Sequence, residues 1–246
     1  MDRVAFTLFG IDIMWYGILI AIGMVIAVSI ALREAKRLGI LEDDILNLAM
    51  IAIPCGLIGA RAYYVIFNWS YYAGNISEIL NFRGGGLAIH GGLIGGILVG
   101  FIYAKVKKLS FFKLADCVVL GVPLAQAIGR WGNFLNKEAH GGPTDLPWGI
   151  MVDGVKVHPT FLYESIWDVG VFIFLFLFRK KQKYEGQILV NYMILYSIGR
   201  FFIEGLRTDS LMLGPLRMAQ VISLVFIIVG IVLNYILSRK SKIANR

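Results

Sequence analysis

Ile13 to Leu32 reads IMWYGILIAIGMVIAVSIAL, a run of twenty residues without a charge. At about 1.5 Å of rise per helical residue, such a run covers the roughly 30 Å hydrocarbon core of a bilayer. Met218 to Leu237 supplies a second uncharged run of the same length. Across 246 residues, 58% are hydrophobic and only 16% are charged, against roughly 25% charged in soluble domains. These runs make the chain an integral membrane protein. The net charge of +8 does not point to nucleic acid as a partner. A nucleic-acid face needs basic residues clustered on a wetted surface with aromatics between them, and here the basic residues stand between apolar runs.

Those basic clusters orient the chain. Arg33, Lys36 and Arg37 follow the first run; Lys105, Lys107, Lys108 and Lys113 lie further on; Arg179, Lys180, Lys181 and Lys183 follow a later run; and Arg239, Lys240, Lys242 and Arg246 close the chain. The positive-inside rule places all four segments on the cytoplasmic side. That arrangement requires an odd number of crossings. The expected fold is therefore all-α, with seven transmembrane helices at about 13–32, 45–69, 87–104, 111–131, 159–178, 187–204 and 217–237. The N-terminus is expected outside, the C-terminus in the cytoplasm, and 132–157 as a small extracytoplasmic head. The whole chain reads as one polytopic membrane domain. The first twelve residues lack the basic start and cleavage site of a signal peptide, so the first span is expected to be retained.

Polar residues are rare enough in this chain to be read individually. Arg130 follows the uncharged stretch from Cys117 to Gly129 and stands at the outer end of a span. In lipid such a charge demands a partner or a wet cavity. Asn133, Asn136, Lys137, Glu138 and His140 follow at once. Tyr196, Arg200 and Glu204 are spaced by four residues, with Arg207 three later, which aligns them on one helical face. Arg61 falls in the outer third of the second span, where it could either snorkel to the interface or serve a site. His90 lies among glycines at the mouth of the third span; a packing histidine and a functional one are both compatible with that position. Asp116 reads as a helix-start carboxylate, and Glu164 and Asp168 as acids favoured by the positive end of the fifth span. Tyr16, beside Trp15, reads as an interfacial anchor. Asp153-Gly154 predicts a short hairpin over 151–157.

Two or three guanidiniums facing one outer cavity suit an anion, since each presents a planar fork that never loses its charge. A phospholipid headgroup is the natural anion at that depth. The three histidines lack zinc-ligand spacing, no serine elbow is present, and Cys55 and Cys117 read as small buried hydrophobes. No metal and no cofactor is expected. These residues leave two classes open: an enzyme acting on an anionic lipid, and a transporter of one, which would need its polar path to continue to the cytoplasmic side.

The stretch Gly129 to Gly141, GRWGNFLNKEAHG, matches each fixed position of the pattern G-R-x-G-N-F-x-N-x-E-x-x-G. It resembles the signature of the bacterial phosphatidylglycerol:prolipoprotein diacylglyceryl transferases (Lgt family). The resemblance extends through Trp15-Tyr16-Gly17, His90-Gly91-Gly92, His158 to Glu164 and Tyr196 to Arg207. The connection from Gly141 to His158 is shorter than in longer relatives. The resemblance implies a multi-pass enzyme of the bacterial cytoplasmic (inner) membrane, with its active site toward the extracytoplasmic face. It implies transfer of diacylglyceryl from phosphatidylglycerol to the lipobox cysteine of a prolipoprotein signal peptide, giving a thioether and glycerol phosphate, the first step of lipoprotein maturation. Arg130 and Arg200 match positions central to headgroup binding and catalysis. Tyr16, His90, Asn133, Glu138, Gly141, Tyr196 and Glu204 match supporting ones. The chemistry favours His90 as the base for the thiol, and places Arg61 and Arg207 among the substrate-binding residues.

Overall fold

The computed structural model describes residues 3–82 and 84–244; Arg83 and Arg246 lie outside them. A short antiparallel hairpin, β1 (Val4–Leu8) and β2 (Ile11–Met14), runs without a linker into helix α1 (Trp15–Leu38). Then come α2 (Glu42–Phe67), the single turns α3 (Trp69–Tyr72) and α4 (Ile76–Ile79), and α5 (Ile89–Val106). Helices α6 (Phe111–Val119) and α7 (Val122–Asn136) precede a hairpin of β3 (Ile150–Val152) and β4 (Val155–Val157). Helix α8 (Thr160–Phe178), a 3-10 turn at Arg179–Lys181, and α9 (Gln187–Glu204) follow. The chain ends with the hairpin β5 (Met212–Leu213) and β6 (Leu216–Arg217) and the long α10 (Met218–Ala244).

Helices α1, α2, α5, α8 and α10 are each long and apolar enough to cross a membrane. The pair α6 and α7 forms a sixth candidate, bent by 43°. The break has a local cause. Pro123 stands in the first turn of α7 and has no N–H to continue the α6 ladder. Gly121 lies against Ala27, where a Cβ would fall 2.7 Å from the Ala27 Cα. The stretch expected as one span at 111–131 is therefore two helices, and α7 runs on to Asn136. Helix α9 carries Gln187, Asn191, Arg200 and Glu204 and is not among the helices long and apolar enough to cross a membrane.

The chain divides into two compact units, one comprising residues up to Ala31 and from Asp116 onward, the other Leu32–Ala115. In the first unit, α8 packs on α7 and α9, and α9 on α10. Its core is built on Leu120, Val171, Leu175 and Ile188. Asp116, expected to start its own helix, instead caps another. Its carboxylate accepts from the backbone N–H of Gly186 at 2.6 Å and of Leu189 at 2.9 Å, satisfying donors at the start of α9 that have no partner within the helix.

In the second unit α2 and α5 meet backbone to backbone. A Cβ on Gly91 would lie 2.2 Å from the Gly59 carbonyl oxygen, and one on Gly95 would lie 2.9 Å from that of Cys55. Small residues allow this close approach, the usual means of helix packing in a membrane. Arg61 is 4% exposed. Its Nε donates to the Ile79 carbonyl at 3.0 Å, Nη2 to Glu78 at 2.5 Å, and Nη1 to Gly85 and Gly86 at 2.7 and 3.0 Å. The guanidinium thus clamps the loop that leads into α5. A single ammonium cannot span four carbonyls, so Arg61→Lys is expected to loosen 78–88. Losing charge-assisted bonds at about 1.5–3 kcal/mol each should lower amide exchange protection there by at least tenfold, while helices α8 and α9 keep theirs.

Candidate active site

One carboxylate joins two helices that carry arginine. Glu164, in the second turn of α8, places Oε2 2.5 Å from Arg130 Nε of α7 and Oε1 2.5 Å from Arg200 Nη1 of α9. Arg200 Nη2 lies 2.7 Å from Glu204 Oε2, one turn further along α9. Arg130 Nη2 donates to the Tyr196 hydroxyl at 3.4 Å. Beyond the end of α9, Arg207 turns back, 3.9 Å from Glu164 and 3.9 Å from Glu204. The Ser210 hydroxyl donates to Glu204 Oε1. The side chains of Arg130 and Arg200 are 21% and 19% exposed, those of Glu164 and Glu204 only 6% and 4%. The acids are therefore buried behind arginines that stay reachable. Each guanidinium has five N–H donors, and the carboxylates and Tyr196 engage only some of them. Glu164 Oε2 and Glu204 Oε2 make charge contacts without hydrogen-bond alignment. This is a pair of guanidinium forks held at a fixed separation with donors to offer.

Arg207 also forms a fork to Asp209, Nε to Oδ1 at 3.0 Å and Nη2 to Oδ2 at 2.7 Å. Burial alone would raise the Asp209 carboxyl, but the bonds and charge of Arg207 outweigh it and hold Asp209 below its ordinary value. With a depressed folded value, the pair contributes stability above the unfolded pKa of about 3.9 and loses it only as pH falls through the lower folded value. The turn at 205–210 should therefore be indifferent to pH between about 5 and 8.

The signature stretch forms the end of α7 and the loop after it. Glu138 Oε1 accepts from Asn133 Nδ2 at 3.0 Å and from Asn136 Nδ2 at 3.1 Å, around a left-handed Lys137 that ends the helix. Its glycines have steric reasons. A Cβ on Gly132 would lie 2.1 Å from Tyr16 Cδ2, so the Tyr16 ring packs directly on that backbone. A Cβ on Gly141 would lie 2.6 Å from His158 Cβ. Gly141 bridges to Arg207, and the Gly142 N–H donates to the Leu206 carbonyl at 3.0 Å, which fastens the signature loop to the turn carrying Arg207. Gly132→Ala should overpack this contact at about 1–3 kcal/mol, lowering Tm by a few degrees. Adding Tyr16→Leu should restore part of the loss.

The sequence matches the family described as prolipoprotein diacylglyceryl transferase over residues 3–236. The chain belongs to that family. A protein of Clostridioides difficile (strain 630), named phosphatidylglycerol--prolipoprotein diacylglyceryl transferase, is 75% identical over 242 residues, covering 98% of each chain. One of the same name from Finegoldia magna is 54% identical over 235 residues, covering 95% of each. A third, from Clostridium novyi (strain NT), is 52% identical over 256 residues, covering 100% of this chain and 98% of its own.

In this transferase-family chain, Tyr16, Arg130, Asn133, Glu138, Gly141, Tyr196, Arg200, Glu204 and Arg207 all belong to the first unit. Arg130, Tyr196, Arg200, Glu204 and Arg207 form the ion cluster. Asn133, Glu138 and Gly141 shape the signature loop, and Tyr16 packs beneath it. Arg61 and His90 belong to the second unit. His90 is exposed in the first turn of α5, its ring 6.0 Å from that of Tyr63. Two acids in the cluster were given only helix-end roles by the sequence. Glu164 is its centre. Asp168, one turn on, is 2% exposed, feels the charges of Arg130 and Arg200, and leaves Oδ2 without a hydrogen-bond partner among the described residues. Their signal was the spacing of four between Glu164 and Asp168, which repeats the Arg200 to Glu204 spacing on another span.

Proposed function

We propose that this chain transfers the diacylglyceryl group of phosphatidylglycerol to the cysteine thiol of a prolipoprotein, with the lipid phosphate held between Arg130 and Arg200. Family membership supports the activity. The observation that supports the location is Glu164, whose single carboxylate lies 2.5 Å from both guanidiniums, so that the two converge on one anionic group. The thiolate attacks the glycerol carbon bonded to the phosphate oxygen. A C–S bond forms, the C–O bond breaks with its electron pair, and glycerol phosphate departs with added negative charge. Arg130 and Arg200 stabilise that charge as it develops, and the low dielectric around them strengthens the effect. Glu204 and Tyr196 orient the two arginines. Glu138 with Asn133 orders the loop above them.

The thiol proton requires an acceptor, because a cysteine of pKa near 8.5 is mostly protonated at neutral pH. His90 is the candidate, since a neutral imidazole carries a ring nitrogen that accepts a proton. His90→Gln should slow transfer by about 10²-fold or more, with the deficit shrinking as pH rises toward the thiol pKa. Near-normal turnover in that variant would remove His90 from the role.

The chain crosses the bacterial inner membrane seven times in this reading, α9 included. The basic clusters face the cytoplasm, and the arginine site opens toward the extracytoplasmic face. The polar cluster on α9 accounts for its weak apolar character: those residues face protein, not lipid. The experiment that tests the function uses purified protein, phosphatidylglycerol and a synthetic lipobox peptide in Cys and Ser forms. Thioether-linked diacylglycerol on the Cys peptide alone is expected, and its absence would contradict the reading.

A further inference from the structure

A cavity of about 210 Å³ opens between the signature loop and the β3–β4 hairpin. Its walls are apolar, from Phe134, Leu135, Val152 and Phe161, and Glu138 and His140 stand among the lining residues. The volume is below the roughly 300 Å³ at which small-molecule pockets begin, and suits one apolar side chain. Its position relative to the ion cluster follows from helix geometry. Asn133, which also lines it, is three residues beyond Arg130 on α7, and Phe161 is three residues before Glu164 on α8. Three residues rise about 4.5 Å. The cavity thus sits just under one turn from the Arg130–Glu164 pair on both helices.

Beside it runs an unpaired strand edge. Asp153 and Gly154, with φ of 48° and 83°, close a two-residue hairpin in which Val152 faces Val155 and Ile150 faces Val157. The alternation of an antiparallel pair then turns the Met151 N–H and C=O away from β4. The far edge of β4 is covered by the Pro143–Val157 bridge and by the Thr144 N–H donating to the Lys156 carbonyl. Among the described residues no strand pairs with the free edge of β3, and Met151 is 67% exposed.

We propose that this edge and cavity dock the protein acceptor. An extended segment pairs with Met151 by strand addition and places one apolar side chain between Phe134 and Phe161. At about 3.3 Å per extended residue, a side chain seated there lies one or two residues from a cysteine that reaches the arginines. The inference rests on the transferase reading, because it supplies the acceptor of that reaction. The occupant is a polypeptide because the unpaired N–H and C=O are backbone-matching groups, which a lipid chain cannot satisfy.

Two variants test it. Met151→Pro removes the outward donor and leaves the hairpin bonds, and Leu135→Trp fills the cavity. Each should raise KM for the lipobox peptide about tenfold, the size of one lost hydrogen bond or one blocked pocket. KM for phosphatidylglycerol should stay within about twofold of the parent value. In Leu135→Trp, a peptide with its apolar residue cut to Ala should outperform the parent peptide. An unchanged peptide KM, or equal rises in both constants, would overturn the proposal. On the unaltered protein, a benzophenone placed two residues before the peptide cysteine should crosslink within 134–152 or at Phe161; crosslinks found elsewhere overturn it even if the variants fail to fold. Failure of the unaltered protein to form any thioether would count against the transferase reading itself.

Discussion

Glu164→Gln lowers diacylglyceryl transfer by about 10²-fold or more, and lowers thermal stability as well. The amide keeps the shape of the side chain but removes the charge that lies 2.5 Å from both Arg130 and Arg200. Breaking a buried ion pair from one side costs about 3–5 kcal/mol, because the remaining charges stay buried without compensation. Part of that loss is absorbed as the arginines swing toward Glu204 or Tyr196. Their separation changes when they do, and a displacement of about 1 Å near the reacting centre is enough for a 10²-fold loss. Thermal unfolding and transfer rate should be measured on the same preparation. A variant that unfolds a few degrees lower yet transfers at the parent rate would show that Glu164 holds the helices together and nothing more.

Arg200→Lys is expected to impair transfer at least as strongly. Arg200 uses Nη1 for Glu164 and Nη2 for Glu204, two acceptors on two helices. Lysine keeps the charge but carries a single ammonium, so it satisfies one acceptor well and offers no fork to a phosphate. Removing one preorganised donor from a site of developing negative charge costs about 10²–10³ in kcat. The loss should fall on kcat more than on KM for the lipid, because the charge that Arg200 stabilises grows as the bond breaks. Arg207→Lys is the contrast. Arg207 lies 3.9 Å from both site glutamates and is tied to Asp209, so a loss within about tenfold is expected for it.

The sequence revealed those parts of the fold that are local in the chain. The uncharged runs became α1 and α10, and Asp153-Gly154 became the turn of the β3–β4 hairpin, as positive φ at both positions requires. Arg130 and Arg200 stood out because charge within apolar sequence is rare. What escaped the reading depends on partners far along the chain. Asp116 looks like a start residue for its own helix, and only the approach of its carboxylate to the start of α9, seventy residues on, makes it a cap for Gly186 and Leu189. Arg61 looks like a third anion-binding arginine until the loop at 78–86 folds back and brings four carbonyls to its guanidinium. Glu164 looks like an acid suited to a helix start; its spacing of four to Asp168 marks a polar face, but the two arginines it lies between come from other helices. The bend at Pro123 was legible in principle, since proline and glycine together interrupt a helix. The surrounding hydrophobicity hid it within one apparent span.

The arrangement of acids behind arginines also bears on how an anion binds. With Glu164 and Glu204 beneath them, Arg130 and Arg200 are already partly neutralised, so the site does not attract anions by excess charge. It selects them by geometry, through donors that the carboxylates leave open.

The most direct test of this account is to locate the lipid headgroup itself. Phosphatidylglycerol with a photoreactive diazirine on its headgroup glycerol would be irradiated with the protein in vesicles and the crosslinked peptides mapped. The account predicts crosslinks within 130–141, 160–168 and 200–210, lost in Arg130→Gln and Arg200→Gln while acyl-chain crosslinks persist. Headgroup crosslinks concentrated at the basic ends, near 33–37 or 179–183, or unchanged by both substitutions, would contradict it.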